Sequence, residues 1–278
     1  MRADLHTHSY YSDGLLSPED IVLAAKNNGV RLIALTDHDT MHGCAEFSKL
    51  AQANGLKSVN GVEVSAYYKQ IKFHTLGYNI DKQKFQPFLN ELFENSIKRT
   101  QEVVFKLNVT GIKITIEDVD AQRRSPSTPM HAMHAARAMV KRGYCNDVRD
   151  FFRNYVDYGK PAFIPVYRPT PEETCEAISY AGGFAAVAHP ARIHLSAELL
   201  KNIIIRLKGC GLGGIEVYYT THTEEQTTYY KNLAESFNLL MTGGSDTHMS
   251  GTSRKVGTPE FYANKELLER LGIKQQTL

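Results

Sequence analysis

His6 and His8 stand two residues apart in Asp4-Leu5-His6-Thr7-His8, at the end of a short apolar segment. In a β-strand, residues two apart share a face, so both imidazoles can address one metal ion. The arrangement recurs along the chain. His38 follows the apolar run 32–37, Glu63 follows 59–62, and His189 follows 183–188. Asp246 and His248 follow 239–245, and His74 follows 71–73. With Asp13 in the turn-like Ser12-Asp13-Gly14, the candidate ligands are His6, His8, Asp13, His38, Glu63, His74, His189, Asp246 and His248. Imidazole and carboxylate donors suit Zn²⁺, Mn²⁺ or Fe²⁺, whereas purely oxygen sets suit Mg²⁺ or Ca²⁺. Nine candidates exceed the needs of one ion and suit two or three. Closely spaced metals can bridge a hydroxide, lower the pKa of bound water and clamp the oxygens of a phosphoryl group.

To gather strand ends at one place, the chain must alternate strands and helices. Ser17-Pro18-Glu19-Asp20 supplies an N-cap, a proline at the first helical position and acids in the first turn, and Asn28-Gly29 stops that helix. A strand is expected over 31–36, a helix over 41–53 and a strand over 57–65. Short apolar strands between helices imply a parallel sheet covered on both faces. Chemistry at strand C-termini is the habit of α/β barrels of about 250 residues, and this chain has 278.

The next connection is too short for a parallel crossover. Residues 62–65 and 71–74 are therefore expected to form a hairpin turning near 67–69, with Glu63 and His74 directly opposite. Opposed residues have Cβ atoms about 4.5–5.5 Å apart, close enough to share an ion. From about residue 81 the strand-end pattern stops, and 85–107, 129–142 and 146–157 read as helices. The expected organisation is a barrel from 1–80 and 162–278 and a helical insertion, 81–161, acting as a cap or substrate wall. Strands at 183–189, 214–219 and 239–243 bring the strand candidates to seven.

Lys and Arg total 32 against 30 Asp and Glu, a formal net charge of +2. That balance creates no field that argues for nucleic acid and none against a short anionic substrate. The four cysteines are widely separated, with no C-x-x-C pair, and read as reduced thiols of a cytoplasmic protein. With no basic-apolar leader and no apolar stretch approaching 18 residues, no membrane association is expected. No obligate protein partner is evident.

Six motifs occur in the order of a known family: Asp-Leu-His-Thr-His-Ser (4–9) with Ser12-Asp13-Gly14, Leu-Thr-Asp-His-Asp (35–39), Gly-Val-Glu-Val-Ser (61–65), His-Thr-Leu-Gly-Tyr (74–78), Ala-His-Pro (188–190) and Gly-Ser-Asp-Thr-His (244–248). In these the chain resembles the PHP (polymerase and histidinol phosphatase) family, over nearly its whole length outside the insertion. The resemblance implies an α/β fold, a distorted seven-stranded (β/α) barrel, with a trinuclear site for divalent Mn²⁺, Fe²⁺ or Zn²⁺. On its pattern His6, His8, Glu63 and Asp246 hold one ion. Glu63 bridges to a second, held also by His74 and His189, while Asp13, His38 and His248 hold the third.

Within the family, the length, Asp13 and the insertion look like the subgroup that hydrolyses nucleotide phosphates: 3′,5′-nucleoside bisphosphate phosphatases and relatives acting 5′→3′ on short RNA. That subgroup usually carries Arg-x-His in the insertion; here the His is His134 and the Arg position is Ala132. Arg192, in Ala-His-Pro-Ala-Arg, and His222 complete the implied phosphate contacts. The expected activity is hydrolysis of a phosphate monoester of a small nucleotide, or of the end of a short oligoribonucleotide, by a metal-bridging hydroxide. Asp246 would take the proton and Glu63 would bridge the metals. Histidinol-phosphate phosphatase and a noncatalytic metal-binding module are the alternatives. Asp39 reads equally as a partner for a histidine ligand or as a helix cap, and Tyr218, Tyr219, Tyr229 and Tyr230 read as packing at the barrel rim.

Overall fold

The computed structural model describes residues 1–69, 71–126, 128–165 and 168–274. Seven strands lie side by side in chain order: β1 (Ala3–Asp4), β2 (Leu32–Leu35), β3 (Lys57–Tyr68), β4 (Ile71–Tyr78), β5 (Phe184–Val187), β6 (Leu212–Tyr219) and β7 (Leu240–Gly244). β1, β2 and β3 pair in parallel, as do β5, β6 and β7, whereas β4 runs antiparallel to both neighbours. The last strand meets the first: the Leu5 N–H donates to Gly243 O at 3.0 Å, and Thr7 and Thr247 form a parallel bridge. The sheet is thus nearly closed, a distorted seven-stranded barrel in which one reversed strand is the distortion.

The two faces of β2 show how the strand sequence builds the layers. Leu32 and Ala34 pack with Val59, Leu76, Tyr78 and Phe184 inside the barrel. Ile33 and Leu35 point the other way, onto Ile21, Val22 and Ala25 of α1 (Pro18–Asn27) and Phe47 of α2 (Cys44–Ala53). A strand buried on both faces has no polar positions, which is why it reads as a continuous apolar run. Full burial of each such side chain is worth about 1.5–3 kcal/mol. α1 starts as its sequence directs, with Ser17 and Asp20 closing a capping box around Pro18.

The hairpin differs from expectation by two residues of register. Ser65, not Glu63, pairs with His74, and Glu63 pairs with Leu76. The turn falls after Tyr68, where Lys69 takes the left-handed conformation with φ 57°. No glycine or asparagine marks that position, so the sequence carries no signal for it. Glu63 and His74 remain on one face as diagonal neighbours, within reach of a long carboxylate side chain.

The chain divides into two compact units, Met1–Pro87 with Arg168–Leu278, and Phe88–Tyr167. The first contains the whole sheet, flanked by α1, α2, α7 (Pro171–Tyr180), α8 (Ala197–Gly209), α9 (Glu224–Ser236) and α10 (Lys265–Arg270). α3 (Lys82–Val109) leads into the second unit, which adds α4 (Ile116–Asp120), α5 (Ala132–Lys141) and α6 (Val148–Phe151) around Val103, Leu107, Ile114, Met139 and Phe151. α5 begins later than residue 129 because the backbone of His131 is still extended and serves as its N-cap. α6 continues as a π-helical turn over Phe152–Val156. Among the described residues, no helix is long and apolar enough to cross a membrane.

Candidate metal centre

All nine sequence-proposed ligands come together at one end of the barrel unit. His6 and His8 lie just beyond β1, on either side of the Thr7–Thr247 bridge. His38 follows β2 and bridges to Glu63 on β3. His74 comes from β4, His189 follows β5, and Asp246 and His248 follow β7. Three sets of ligand atoms lie within 4.8 Å of one another: His6, His8, Glu63 and Asp246; His38, Glu63 and His74; and His8, Asp13, His38 and His248. His189 adjoins the second set, with Nε2 at 2.8 Å from Glu63 Oε1 and 3.3 Å from His74 Nδ1. Glu63, His8 and His38 are each shared between sets.

The backbone holds these groups in conformations that need support. His189 and Asp246 have φ of 24° and 51°, and Asp39, next to His38, has 55°. Non-glycine residues occupy this region at a cost that surrounding bonds must offset. They do so here: the Asp246 N–H donates to His6 O at 2.8 Å, and the His189 N–H to Glu216 Oε2 at 2.7 Å. At Gly244 even a Cβ would sit 2.4 Å from that of His6, so only glycine lets β7 approach so closely.

Whether these residues fit a metal can be tested on the atoms themselves. His6 Nδ1 lies 3.0 Å from Glu216 Oε1, which as a carboxylate can only accept. The Nδ1–H therefore donates, and in the neutral ring Nε2 carries a lone pair. That Nε2 lies 3.1 Å from His8 Nε2 and 3.1 Å from Glu63 Oε2. Glu63 Oε2 is buried, with His6, His8 and His38 nitrogens at 3.1–3.3 Å, and makes no well-formed hydrogen bond. Donors bound at about 2.0–2.1 Å to one ion sit roughly 3.0–3.4 Å apart, so the spacing is that of ligands around a cation. His248 repeats the pattern: its Nδ1 reaches Asp246 O at 2.9 Å and its Nε2 lies 3.2 Å from Asp13 Oδ1. The residues fit divalent metal ions.

The electrostatics agree. Burial opposes ionisation of Glu63, yet the imidazoles of His74, His38 and His6 hold its carboxyl well below the usual range. Burial likewise opposes ionisation of Asp246 and Asp13, and neighbouring histidines, His6 for the first and His248 for the second, hold both well below it. Burial also opposes charge on His8, but the adjoining carboxylates of Asp246 and Glu63 lift it to about 10. His6 is raised well above its ordinary value, burial being outweighed by Glu216 and Glu63. Burial pushes His38 well below its ordinary value and His74 down to about 4. Buried carboxylates thus draw protons onto two imidazoles, charge that a divalent cation would supply instead.

The sequence-proposed phosphate contacts divide. Arg192 reaches the cluster, its Nη1 donating to Asp246 Oδ2 at 3.1 Å and to the Tyr219 hydroxyl at 3.0 Å. His222 packs against Tyr219, ring centroids 5.2 Å apart, with Nδ1 at 2.9 Å from Val217 O. His134 belongs to the second unit, where its Nδ1 accepts from the His131 N–H at 3.0 Å. Asp39 fits neither of its two readings, pairing with no histidine ligand and capping no helix among the described residues. Its Oδ1 accepts from Ser65 N and its Oδ2 from Arg168 Nη1, while Gly43 occupies the N-cap of α2. Tyr219 is more than rim packing, since its hydroxyl donates to Asp246 Oδ2 at 2.6 Å.

Four supporting groups escaped the sequence reading. Glu216 anchors His6 and His189. Asp4 accepts from the backbone N–H groups of His6, Ser245 and Gly257, clasping the first strand to the last. Asp37 accepts from Ser9 and Ser12, with burial raising its carboxyl to about 6. Arg254 Nη1 donates to Asp246 Oδ2 at 2.8 Å. Glu216 had a usable signal, because it ends the run Gly213-Gly214-Ile215 just as the proposed ligands end theirs.

A nearly closed α/β barrel with overlapping histidine–carboxylate sets at its strand ends defines a metal-dependent hydrolase. The model of the PHP domain matches residues 4–155, and the chain belongs to that family, whose members include metal-dependent phosphoesterases. A 3′,5′-nucleoside bisphosphate phosphatase from Chromobacterium violaceum is 32% identical over 260 residues, covering 92% of this chain and 91% of that protein. A 5′-3′ exoribonuclease from Haemophilus influenzae is 32% identical over 249 residues, covering 88% and 89%. Among solved structures, an amidohydrolase from Chromobacterium violaceum with bound sulfate and no metal aligns at a TM-score of 0.85 and 30% identity, covering 97% of each chain. Like these relatives the chain is a hydrolase, and its reaction is that of a metal-dependent phosphoesterase.

Proposed function

We propose that the chain hydrolyses a phosphate monoester of a small nucleotide, a 3′,5′-bisphosphonucleotide or mononucleotide, or the phosphorylated end of a short oligoribonucleotide. The observation that carries this reading is the position of Asp246. Its Oδ1 faces His8 and His6 at 3.3 and 3.5 Å, and its Oδ2 faces Arg192 at 3.1 Å, so the ligand sets and a phosphate-sized cation adjoin through one carboxylate. The likeness to a bisphosphate phosphatase and an exoribonuclease supports a nucleotide as the carrier of that phosphate.

His6, His8, Asp13, His38, Glu63, His74, His189, Asp246 and His248 would hold two or three divalent ions, with Glu63 shared between sets. When bound, such ions act as Lewis acids on phosphoryl oxygens and lower the pKa of water. The chain's own groups do the rest. Arg192 orients the phosphate through charge-assisted hydrogen bonds. Asp246, held ionised by its neighbours, takes the proton from the attacking water at Oδ1. Glu216 and Asp4 keep His6 in place, so orientation is set before substrate arrives.

Phosphate release by the Mn²⁺-reconstituted protein from a 3′,5′-bisphosphonucleotide, a mononucleotide, histidinol phosphate and a 5′-phosphorylated short RNA tests this reading, with His8→Ala as control. Metal-dependent turnover of a nucleotide, lost in the control, supports it. Turnover of histidinol phosphate alone would replace it with the histidinol phosphatase alternative. In the same assay, a raised KM for His134→Ala supports the phosphate contact expected from the insertion, and an unchanged KM removes it.

A further inference from the structure

Three donors converge on one carboxylate oxygen at the edge of the cluster. Asp246 Oδ2 accepts from the Tyr219 hydroxyl at 2.6 Å, from Arg254 Nη1 at 2.8 Å and from Arg192 Nη1 at 3.1 Å. An ionised carboxylate offers about two lone-pair sites per oxygen, so two full cations and a hydroxyl exceed what Oδ2 requires. Each guanidinium carries five N–H donors in a planar fork. Among the described residues only Nη1 of each forms hydrogen bonds, Arg192 to Asp246 and Tyr219 and Arg254 to Asp246. The Arg192 side chain is 48% exposed and that of Arg254 27%. The Arg254 guanidinium is held over the Tyr219 ring, 5.8 Å from its centroid, which limits its freedom without using its donors.

An ion pair that served stability alone would need one of these cations. Two, with spare donors and solvent access, beside a carboxylate whose other oxygen faces the ligand set, suit an incoming anion. We propose that Arg254 joins Arg192 as a two-guanidinium seat for a terminal phosphate dianion, and that Arg254 sets the preference for phosphate monoesters over diesters. A monoester presents three terminal oxygens and a diester two. With two oxygens directed to the ligand sets, a monoester would keep a third oxygen and a second negative charge for the two forks, and a diester would keep neither. Tyr219 is a positioning residue in this arrangement, fixing Asp246 and supporting the Arg254 fork.

This inference rests on the phosphoesterase reading of the same site and adds a residue and a charge class to it. The test is calorimetric titration of the Mn²⁺-loaded protein with inorganic phosphate, for the unaltered chain, Arg254→Met and Arg254→Lys, with metal content measured in each. Kinetics on para-nitrophenyl phosphate and bis-para-nitrophenyl phosphate accompany it. Arg254→Met is expected to weaken phosphate binding about tenfold to hundredfold at full metal content. KM for the monoester should rise more than kcat falls, and the monoester-to-diester ratio should drop. Arg254→Lys, which keeps the charge without the fork, should recover part of each effect. Unchanged phosphate affinity in Arg254→Met overturns the proposal. So does a loss that merely tracks metal content and disappears on metal replenishment, since Arg254 would then support Asp246 and nothing more. Phosphate affinity is read without turnover. A protein inactive on every nucleotide yet weakened by Arg254→Met would sink the nucleotide reading and keep this one.

Discussion

His6 and Glu216 stand 210 residues apart in sequence and are joined by a 3.0 Å hydrogen bond between Nδ1 and Oε1, buried at the ligand-bearing end of the barrel. The other oxygen of the same carboxylate accepts the His189 N–H at 2.7 Å. One side chain therefore sets the tautomer of one candidate ligand and the backbone of another. Glu216→Gln cannot serve both, because an amide has one accepting oxygen and its NH₂ opposes a donor on the other side. The expected result is a Mn²⁺ affinity lower by roughly tenfold to hundredfold, with the far-ultraviolet circular dichroism unchanged. Competition against a chelator measures it. Affinity within a factor of two of the unaltered chain would remove Glu216 from the account.

Metal uptake should release protons and strengthen with pH. His8 is raised to about 10 and His6 well above its ordinary value, so both hold protons at neutral pH in the absence of metal. A metal ion must displace what the lone pairs hold. Raising the pH through the neutral range weakens the competing proton, and apparent affinity should climb by about tenfold per pH unit for each proton displaced. Calorimetry in two buffers of different ionisation enthalpy counts those protons. No release between pH 6 and 8 would mean the two imidazoles are already bare.

How much of this was legible follows from what strands do to spacing. The convergence of the nine candidate residues could be read because each apolar run stops at a residue of the right chemistry, and strand ends gather at one face of a barrel whatever the loops do. The register of the β3–β4 hairpin could not, because Tyr67, Tyr68 and Lys69 differ little in turn preference and tertiary pairing chose Lys69 for the positive φ. Asp4 was hidden for another reason: its partner Gly257 is joined to it only once the barrel closes, and no local pattern encodes a contact between the first strand and the chain after the last. Arg254 meets Asp246 only eight residues away, but across an irregular loop whose path no periodic pattern encodes.

The pair formed by Arg168 and Asp39 tests how the loop bearing His38 is held. Arg168 Nη1 donates to Asp39 Oδ2 at 2.6 Å, and the two side chains are 9% and 0% exposed. Removing one partner of a buried pair leaves an uncompensated charge, at about 3–5 kcal/mol. Arg168→Met should destabilise the protein by that order in denaturant unfolding, and Asp39→Asn added to it should restore much of the loss. Asparagine tolerates the left-handed backbone that Asp39 adopts, with φ 55°. If the double variant were no more stable than the single one, the destabilisation would come from lost packing around Arg168 and not from the stranded carboxylate.

Closure of the barrel and placement of His6 depend on the same small residue. A Cβ at Gly244 would lie 2.4 Å from His6 Cβ and 2.5 Å from His6 N, both fixed by the backbone. Gly244→Ala must therefore push β7 away from the first strand or displace His6 itself. Overpacking of this kind costs about 1–3 kcal/mol, and displacement of His6 would weaken metal binding as well. Gly209→Ala is the matched control, because it ends α8 with open space where its Cβ would go. That substitution should leave stability unchanged or raise it by up to about 1 kcal/mol. Thermal melts with and without Mn²⁺ separate the two effects: Gly244→Ala should lower the melting temperature of the metal-free protein and shrink the rise that metal produces. A lowered melting temperature with an undiminished metal-dependent rise would show that the barrel yields while His6 keeps its place.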